Sequence, residues 1–245
     1  MTKTLPFASD EYKTNINYHL LMEKELDTIK QSGKKATLLL HSCCAPCSSH
    51  VLTVLQRYYD ITIFFYNPNI YPEEEFALRK AELLKLIDIL NKETLEKEKT
   101  NAFEDKVFHE TPINFAIVPY NPKEFYDVIG GYEKALEGSP RCYLCYTLRL
   151  EKTAKYAFEH GFDYFCTTLT VSPYKNAFWL NEAGKLISKQ YNIKFLQSDF
   201  KKNDGYKHSL ELSEKYGLYR QHYCGCEFSL QAALNKKSAQ EKSIK

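Results

Sequence analysis

The chain has 245 residues, eight cysteines and a formal net charge of +2 at neutral pH. This length suffices for one large α/β domain, and the small net charge provides no global field that would attract nucleic acid. The sequence contains no secretory signal and no run of about 18 apolar residues, so we expect a soluble cytoplasmic protein without a membrane segment. The cysteines cluster at C-x-x-C and C-x-C spacings, which indicates metal or redox sites rather than a secreted disulfide scaffold.

The N-terminal unit comprises residues 1–35, and residues 1–15 form an arm without a strong pattern. Residues 16–31 have the periodicity of a helix that packs on the sheet. Its predicted apolar face consists of Ile16, Leu20, Leu21, Leu26 and Ile29.

Three cysteines follow the first predicted strand. Residues 36–40 form an apolar run typical of a buried parallel strand, and a helix begins near Pro46. Cys43, Cys44 and Cys47 therefore lie in a strand-to-helix turn, where α/β folds bind their ligands. The helix N-terminus favours thiolates, which bind metal or act as nucleophiles. The pattern predicts a metal site rather than three buried core residues.

Strands and helices alternate along the rest of the chain. Further strands are predicted over 61–66, 115–120, 163–168 and 193–196. Further helices are predicted over 73–91, 122–136, 139–160, 175–191 and 206–216. Five strand-then-helix units without an internal repeat predict an α/β fold with a doubly wound, mainly parallel sheet of the Rossmann-like type.

We predict a single catalytic domain over 36–229. The polar residues 92–112 lack periodicity and are expected to form an insertion or a flexible connection. Residues 230–245 are expected to form a flexible basic tail.

Cys142 and Cys145 form a C-x-x-C motif in the first turn of a helix. Residues three apart share a helix face, so both sulfurs can bind one ligand. Together with the first group they offer enough thiolates for zinc or an iron-sulfur cluster, and a thioredoxin-like dithiol is the alternative. Cys166 is alone within a strand and is predicted to be core.

Cys224 and Cys226 flank Gly225. One intervening residue makes a cramped chelate and a strained disulfide ring. Because a strained disulfide is easily reduced, the pair can serve as a redox dithiol, or it can hold a second metal.

Two polar segments are candidate contacts for nucleic acid. Residues 167–175 follow a strand, so their hydroxyls and Lys175 can hold phosphate or sugar, or Ser172 can simply cap the next helix. The basic and aromatic residues 200–209 are either a solvated loop or, with Arg220, a contact to a tRNA or DNA backbone.

The histidines show no zinc-binding spacing. We interpret His41, His50 and His208 as structural, whereas His222 lies close enough to Cys224 to be a candidate proton carrier. The turn HSCCAPCS is not a glycine-rich phosphate loop, and no G-x-G-x-x-G occurs, so we expect neither an ATP nor a nicotinamide site.

Five segments between about residues 36 and 229 resemble the cobalamin-independent epoxyqueuosine reductases. They are LLLHSCCAPCSSHV, RCYLCYTLRL, TTLTVSPYKNA, DFKKNDGYKHS and YRQHYCGCEFS. The resemblance implies reduction of the epoxide of epoxyqueuosine, at the wobble position of tRNA, to the alkene of queuosine. It also implies an iron-sulfur cluster and a low-potential electron donor. The arm lies outside the match, and 92–112 is longer than is usual for the family.

The resemblance also implies roles for the cysteines. We assign a 4Fe-4S cluster to Cys43, Cys44, Cys142 and Cys145. The remaining cysteines are Cys47, Cys224 and Cys226. Either all three bind a mononuclear iron with an open position, or Cys224 and Cys226 supply a redox dithiol. A carboxylate at position 47 would serve a hard iron as well.

Further roles concern protons and the tRNA. The candidate proton donors are Tyr174, Asp204 and His222. The candidate tRNA contacts are Lys175, Lys201, Lys202 and Arg220, with splayed bases stacked on tyrosines. The alternatives are a zinc-stabilised nucleic-acid-binding module, a cluster-dependent tRNA thiolation enzyme and a thiol-disulfide oxidoreductase.

Overall fold

A computed structural model describes residues 16–243, so the predicted arm at 1–15 lies outside the described residues. The strands are β1 Ala36–His41, β2 Tyr59–Phe64, β3 Asn114–Ala116, β4 Tyr164–Thr167 and β5 Lys194–Phe195. They form one sheet in the order β3-β2-β1-β4-β5, and every neighbouring pair is parallel. The predicted doubly wound parallel sheet is confirmed.

Eight helices surround the sheet in the described part of the chain. They are α1 Tyr18–Gln31, α2 Ala45–Leu55, α3 Glu73–Lys99, α4 Pro122–Ile129, α5 Pro140–Glu159, α6 Ala177–Tyr191, α7 Gly205–Lys215 and α8 Glu227–Ser243. A short 3-10 helix, Thr168–Val171, follows β4. None of the described helices combines the length and the apolar character that a membrane crossing requires.

The central strand β1 explains why helices cover both faces of the sheet. Successive side chains of a strand point to opposite faces. Leu38 and Leu40 belong to the core beneath α1, α2 and α3, whereas Leu39 belongs to the core beneath α5 and α6. Because both faces of the strand are buried, its three leucines are consecutive and do not alternate with polar residues.

Helix α1 presents a different face from the predicted one. Ile16, Leu20 and Leu21 are exposed, and the buried residues of the helix are Tyr18, Met22, Leu26 and Ile29. The helix thus buries residues spaced three or four apart, starting from a tyrosine that the prediction left out. The predicted face was correct only in its second half.

Some helix ends also differ from the prediction. Helix α3 continues to Lys99, beyond the predicted end near residue 91, although the added residues are mostly polar. Ion pairs of the kind Lys92–Asp88, at 2.7 Å, support helix where no apolar face signals it. Helix α4 ends at Ile129, before the predicted residue 136.

Helix α8 covers most of the predicted tail at 230–245. The described part of that segment is therefore helical, and its flexibility stays a prediction. Cys166 is fully buried in β4, as expected for a core residue, and its Sγ lies 3.3 Å from the carbonyl oxygen of Leu196.

The sheet topology fixes where a ligand can bind. From β1 the chain moves to β2 and β3 on one side, and it later adds β4 and β5 on the other side. The order therefore reverses between β1 and β4, and such a switch opens a crevice at the carboxyl ends of the strands. The first cysteines follow directly after β1 at this crevice.

Candidate functional site

Three cysteines converge in the turn between β1 and α2. The Sγ atoms of Cys43, Cys44 and Cys47 all lie within 4.8 Å of one another, and those of Cys43 and Cys44 are 3.7 Å apart. Sulfurs that share a tetrahedral ion at zinc-like bond lengths are about 3.8 Å apart. The spacing of the trio therefore suits a shared metal ion.

The charges of these thiols depend on one another. Hydrogen bonds from the thiols of Cys44 and Cys47 lower the pKa of Cys43 well below its ordinary value, and the charges of Lys175 and Arg149 act in the same direction. Hydrogen bonding to Cys43 raises the pKa of Cys44 to about 12 and raises that of Cys47. The trio thus holds one thiolate readily, and further thiolates only when a cation neutralises them.

The second cysteine pair begins α5. Burial raises the pKa of Cys142 and raises that of Cys145 to about 12, and the neighbouring Cys224 and Cys226 act in the same direction. Cys145 and Cys226 belong to one small apolar cluster. The fold therefore brings the second and third cysteine segments together.

A buried arginine holds the loop that carries Cys224. The side chain of Arg79 is 1% exposed, and its Nε donates to Glu75 at 2.7 Å. Its two terminal nitrogens donate to the carbonyl oxygens of Cys224 and Tyr223, at 3.1 and 3.3 Å. Gly225 follows with a φ of +130°, and a Cβ there would lie 3.0 Å from a guanidinium nitrogen. The side chain of Arg79 in α3 thus holds the loop in place. Position 225 needs a glycine, because a Cβ there would crowd the guanidinium and the φ angle is positive.

Two polar side chains connect this loop with the first cysteines. Gln221 donates from Nε2 to the Sγ of Cys44 at 3.0 Å. Lys175 lies close enough to Cys224 and Cys43 for their negative charge to raise its pKa, although burial opposes this. All three cysteine segments therefore contribute to one region.

A cavity of about 570 Å³ opens beside this region. Cys47, Cys224, Lys175 and Arg220 line it. Helix α8 provides one wall with Ser229, Ala232, Ala233 and Lys236. The volume lies within the range of small-molecule sites.

A family sequence model described as epoxyqueuosine reductase QueH matches residues 38–232. The chain belongs to the epoxyqueuosine reductase QueH family. The predicted resemblance is confirmed.

Curated QueH proteins match most of the chain. Epoxyqueuosine reductase QueH of Staphylococcus epidermidis is 40% identical over 216 residues, which cover 87% of this chain and 84% of the relative. The QueH of Staphylococcus aureus is 37% identical, covering 94% of this chain and 90% of the relative. The QueH of Thermotoga maritima is 36% identical, covering 79% and 90%.

The residues of this QueH-family chain fit a thiolate-bound metal group. Besides the sulfurs themselves, the fully buried Arg149 has an Nη2 atom without any hydrogen-bond partner in the described structure. A guanidinium in that position suits a neighbouring group of negative charge. Cys43, Cys44 and Cys47 offer such a group once a metal ion deprotonates them.

The candidate proton donors of this family member lie in different places. Tyr174, which is 80% exposed, and the exposed His222 both line the cavity. Asp204 is exposed at the start of α7 and is absent from the described residues that line the cavity.

The candidate tRNA contacts also divide into two sets. Lys175 and Arg220 line the cavity, and Arg220 additionally donates to Ser213 at 2.9 Å. Lys201 pairs with Asp199 at 2.6 Å, and neither Lys201 nor the exposed Lys202 is among the described lining residues.

Ser172 does not cap helix α6, which follows the loop that contains Lys175. The N-cap of α6 is Asn176, whose side chain accepts a hydrogen bond from the backbone N–H of Trp179 at 3.1 Å. The interpretation of Ser172 as the N-cap was wrong, because helix α6 begins later than predicted.

Three histidines have structural contacts, as expected. His41 is buried between Thr167, at 2.9 Å, and the carbonyl oxygen of Tyr66, at 3.1 Å. Burial lowers its pKa to about 3, so the ring is neutral. The Nδ1 atoms of His50 and His208 lie 3.0 Å apart and connect α2 with α7.

Sequence reasoning missed three residues of the site. Arg149 lies one helical turn after Cys145, and that spacing could have identified it. Arg79 and Gln221 could not be found in this way, because their partners lie in distant segments of the chain.

Proposed function

We propose that this chain reduces epoxyqueuosine in tRNA to queuosine at an iron-sulfur centre beside the cavity. The observation that carries the proposal is that cysteines from three segments lie close together, with Cys47 and Cys224 lining the cavity, in a member of the QueH family. The volume of about 570 Å³ accommodates a modified nucleobase with its substituent.

Our proposed division of the cysteines has a cluster on four of them and an iron on the other three. The cluster ligands are Cys43, Cys44, Cys142 and Cys145, and the iron ligands are Cys47, Cys224 and Cys226. Cys47 and Cys224 line the cavity, which supports an open metal position there. The close approach of Cys47 to Cys43 and Cys44 supports a second division, in which that trio shares one ion.

The reaction removes the epoxide oxygen as water and leaves an alkene, which takes two electrons and two protons. An iron-sulfur centre supplies electrons singly, and an open iron position supplies a Lewis acid. The side chains that line the cavity would donate the protons and place a positive charge beside the substrate. His222 and Tyr174 present proton-donating groups there, and Lys175 presents an ammonium.

The tRNA contacts follow from the shape of the cavity. A base reaches the thiols only when it is splayed out of its loop, as is usual for enzymes that act on a base. Lys175, Arg220 and Lys236 line the cavity and suit the adjoining phosphates, while the exposed ring of Tyr174 offers a stacking surface. Lys201 and Lys202 are proposed as contacts to more distant phosphates.

Anaerobic purification with iron and sulfide analysis tests the metal assignment. Cys142→Ser should lose both the brown colour and the conversion of epoxyqueuosine-containing tRNA, because it removes a cluster ligand. Cys226→Ser should lose conversion and keep most of the colour. The matched control is Cys166→Ser, which removes a thiol in the core of the sheet. A Cys142→Ser protein that converts the tRNA at the parental rate would contradict the cluster assignment.

The same preparation separates the rival functions. A zinc-stabilised binding module would be colourless and contain zinc, and a thiol-disulfide oxidoreductase would reduce generic disulfides without iron. Iron counts for Cys43→Ser and Cys224→Ser also separate the two divisions of the cysteines. Under the first division, Cys43→Ser loses the cluster and Cys224→Ser loses only one iron. Under the second division, Cys43→Ser loses only one iron.

A further inference from the structure

Arg149 is a buried cation with an incomplete set of partners. Its side chain projects from α5 and is 2% exposed. Its Nε donates to the carbonyl oxygen of Cys145 at 3.2 Å, and its guanidinium lies 5.8 Å from the ring centroid of Tyr146. Its Nη2 is buried and has no hydrogen-bond partner in the described structure. A charged donor left unpaired in the interior is strongly unfavourable unless an anion lies beside it.

No carboxylate forms an ion pair with Arg149 among residues 16–243. A second buried arginine near the cysteines, Arg79, does have one in Glu75, at 2.7 Å. The ionisable groups that act on Arg149 are instead the thiols of Cys145, Cys224 and Cys43, followed by the phenol of Tyr146. In their neutral forms these groups would leave the guanidinium uncompensated.

Lys175, in the loop before α6, is a second cation near the cysteines without a carboxylate partner among the described residues. It is half-buried at the cavity, and in the described structure neither an ion pair nor a hydrogen bond engages its ammonium. The groups that act on it are again mainly thiols, those of Cys224, Cys43 and Cys47, followed by the phenol of Tyr146. Two cations from separate segments thus converge on the same sulfurs without any carboxylate.

We propose that Arg149 and Lys175 are the counter-charges of a metal-thiolate group of net negative charge, and that they raise its reduction potential. Each electron that such a group accepts adds negative charge, so neighbouring cations favour the reduced form. The proposal rests on the metal-binding part of the proposed function. It makes Arg149 a positioning residue, since its effect on the reaction passes through the metal group.

The test is a reduction titration of iron-loaded protein, with dithionite and redox mediators under anaerobic conditions. Arg149→Gln and Lys175→Met should each lower the midpoint potential relative to the parent. Arg149→Lys should stay nearer to the parent because it keeps the charge. The control is Lys155→Met, which removes an exposed lysine of α5 that pairs with Glu159 at 3.8 Å, and it should leave the potential unchanged.

Iron per chain is measured for every variant, together with circular dichroism to establish folding. Parental potentials in both Arg149→Gln and Lys175→Met would overturn the proposal. If Arg149→Gln fails to fold or to hold iron, Lys175→Met decides alone, and an unchanged potential in that variant overturns the proposal. A parent chain that binds no iron would instead defeat the metal part of the proposed function.

Discussion

Replacing Arg79 by methionine would test how the loop with Cys224 is held. The substitution keeps an unbranched side chain but removes the cation that pairs with Glu75, whose side chain is 10% exposed, and both donors to the loop carbonyls. Breaking a buried ion pair from one side costs about 3–5 kcal/mol. Each hydrogen bond from a charged donor contributes about 1.5–3 kcal/mol, a part of the same loss rather than an addition to it. We expect Arg79→Met to lower the free energy of unfolding by about 3–5 kcal/mol.

Urea unfolding of the iron-loaded protein measures this loss. The double variant Glu75→Gln, Arg79→Met should recover part of it, because the carboxylate that has lost its cation and keeps only the Tyr219 hydroxyl among its described partners is then gone. The expected coupling is about 0.5–3 kcal/mol. The matched control is Arg57→Met, which breaks an exposed pair with Glu110 at 3.5 Å and should cost at most about 1 kcal/mol. A loss from Arg79→Met as small as that of the control would refute the reasoning.

Three further substitutions test other features of the fold. Gly225→Ala should cost about 1–3 kcal/mol and lower the iron content, because its φ of +130° strains any other residue. Burial, followed by the charge of His208, lowers the pKa of His50 to about 4, against about 6.5 unfolded. The neutral ring therefore stabilises the fold fully above pH 6.5, and this contribution is lost as the pH falls towards 4. Between pH 6.5 and 4, the free energy of unfolding measured in urea should fall less for His50→Gln than for the parent. Gly184→Ala should cost about 1–3 kcal/mol in thermal unfolding, because its Cβ would lie 2.4 Å from the ring of Phe195.

Each of these expectations has a clear contrary result. A Gly225→Ala protein with parental stability and iron content would show that the loop adapts at little cost. Parallel pH profiles for His50→Gln and the parent would assign the acid sensitivity to other groups. A Gly184→Ala protein as stable as the parent would mean that the ring of Phe195 moves aside freely.

The sequence predicts the sheet well because its central strands are buried on both sides. The run at 36–40 is apolar or β-branched, and two residues separate it from the first cysteines, so both the strand and its turn could be placed. The end of α3 could not, since charged pairs such as Lys99–Glu96 sustain the helix without an apolar stripe. Periodicity alone misassigned Leu20 and Leu21 of α1, because several overlapping faces satisfy a helical spacing.

The cysteines of the site were visible in the sequence, but their supporting cations were not. A cysteine spacing is a local signal, whereas Arg79 meets the carbonyl oxygen of Cys224 only through the tertiary fold. Lys175 was interpreted as an RNA contact from its loop, and the structure places it at the cavity among the thiols as well. Helix α8 was missed because its residues show little amphipathic pattern.

The three cysteine segments are separated by long stretches of the chain, so a group bound to all of them would act as a cross-link that closes two large loops. Such closure restricts the unfolded chain most when the loops are long. Iron starvation would then lower stability as well as activity. The chain without the cross-link would unfold locally more often, and proteases would cleave it faster. We expect the cellular lifetime of this protein to follow the supply of iron, which limited proteolysis before and after chelation would reveal.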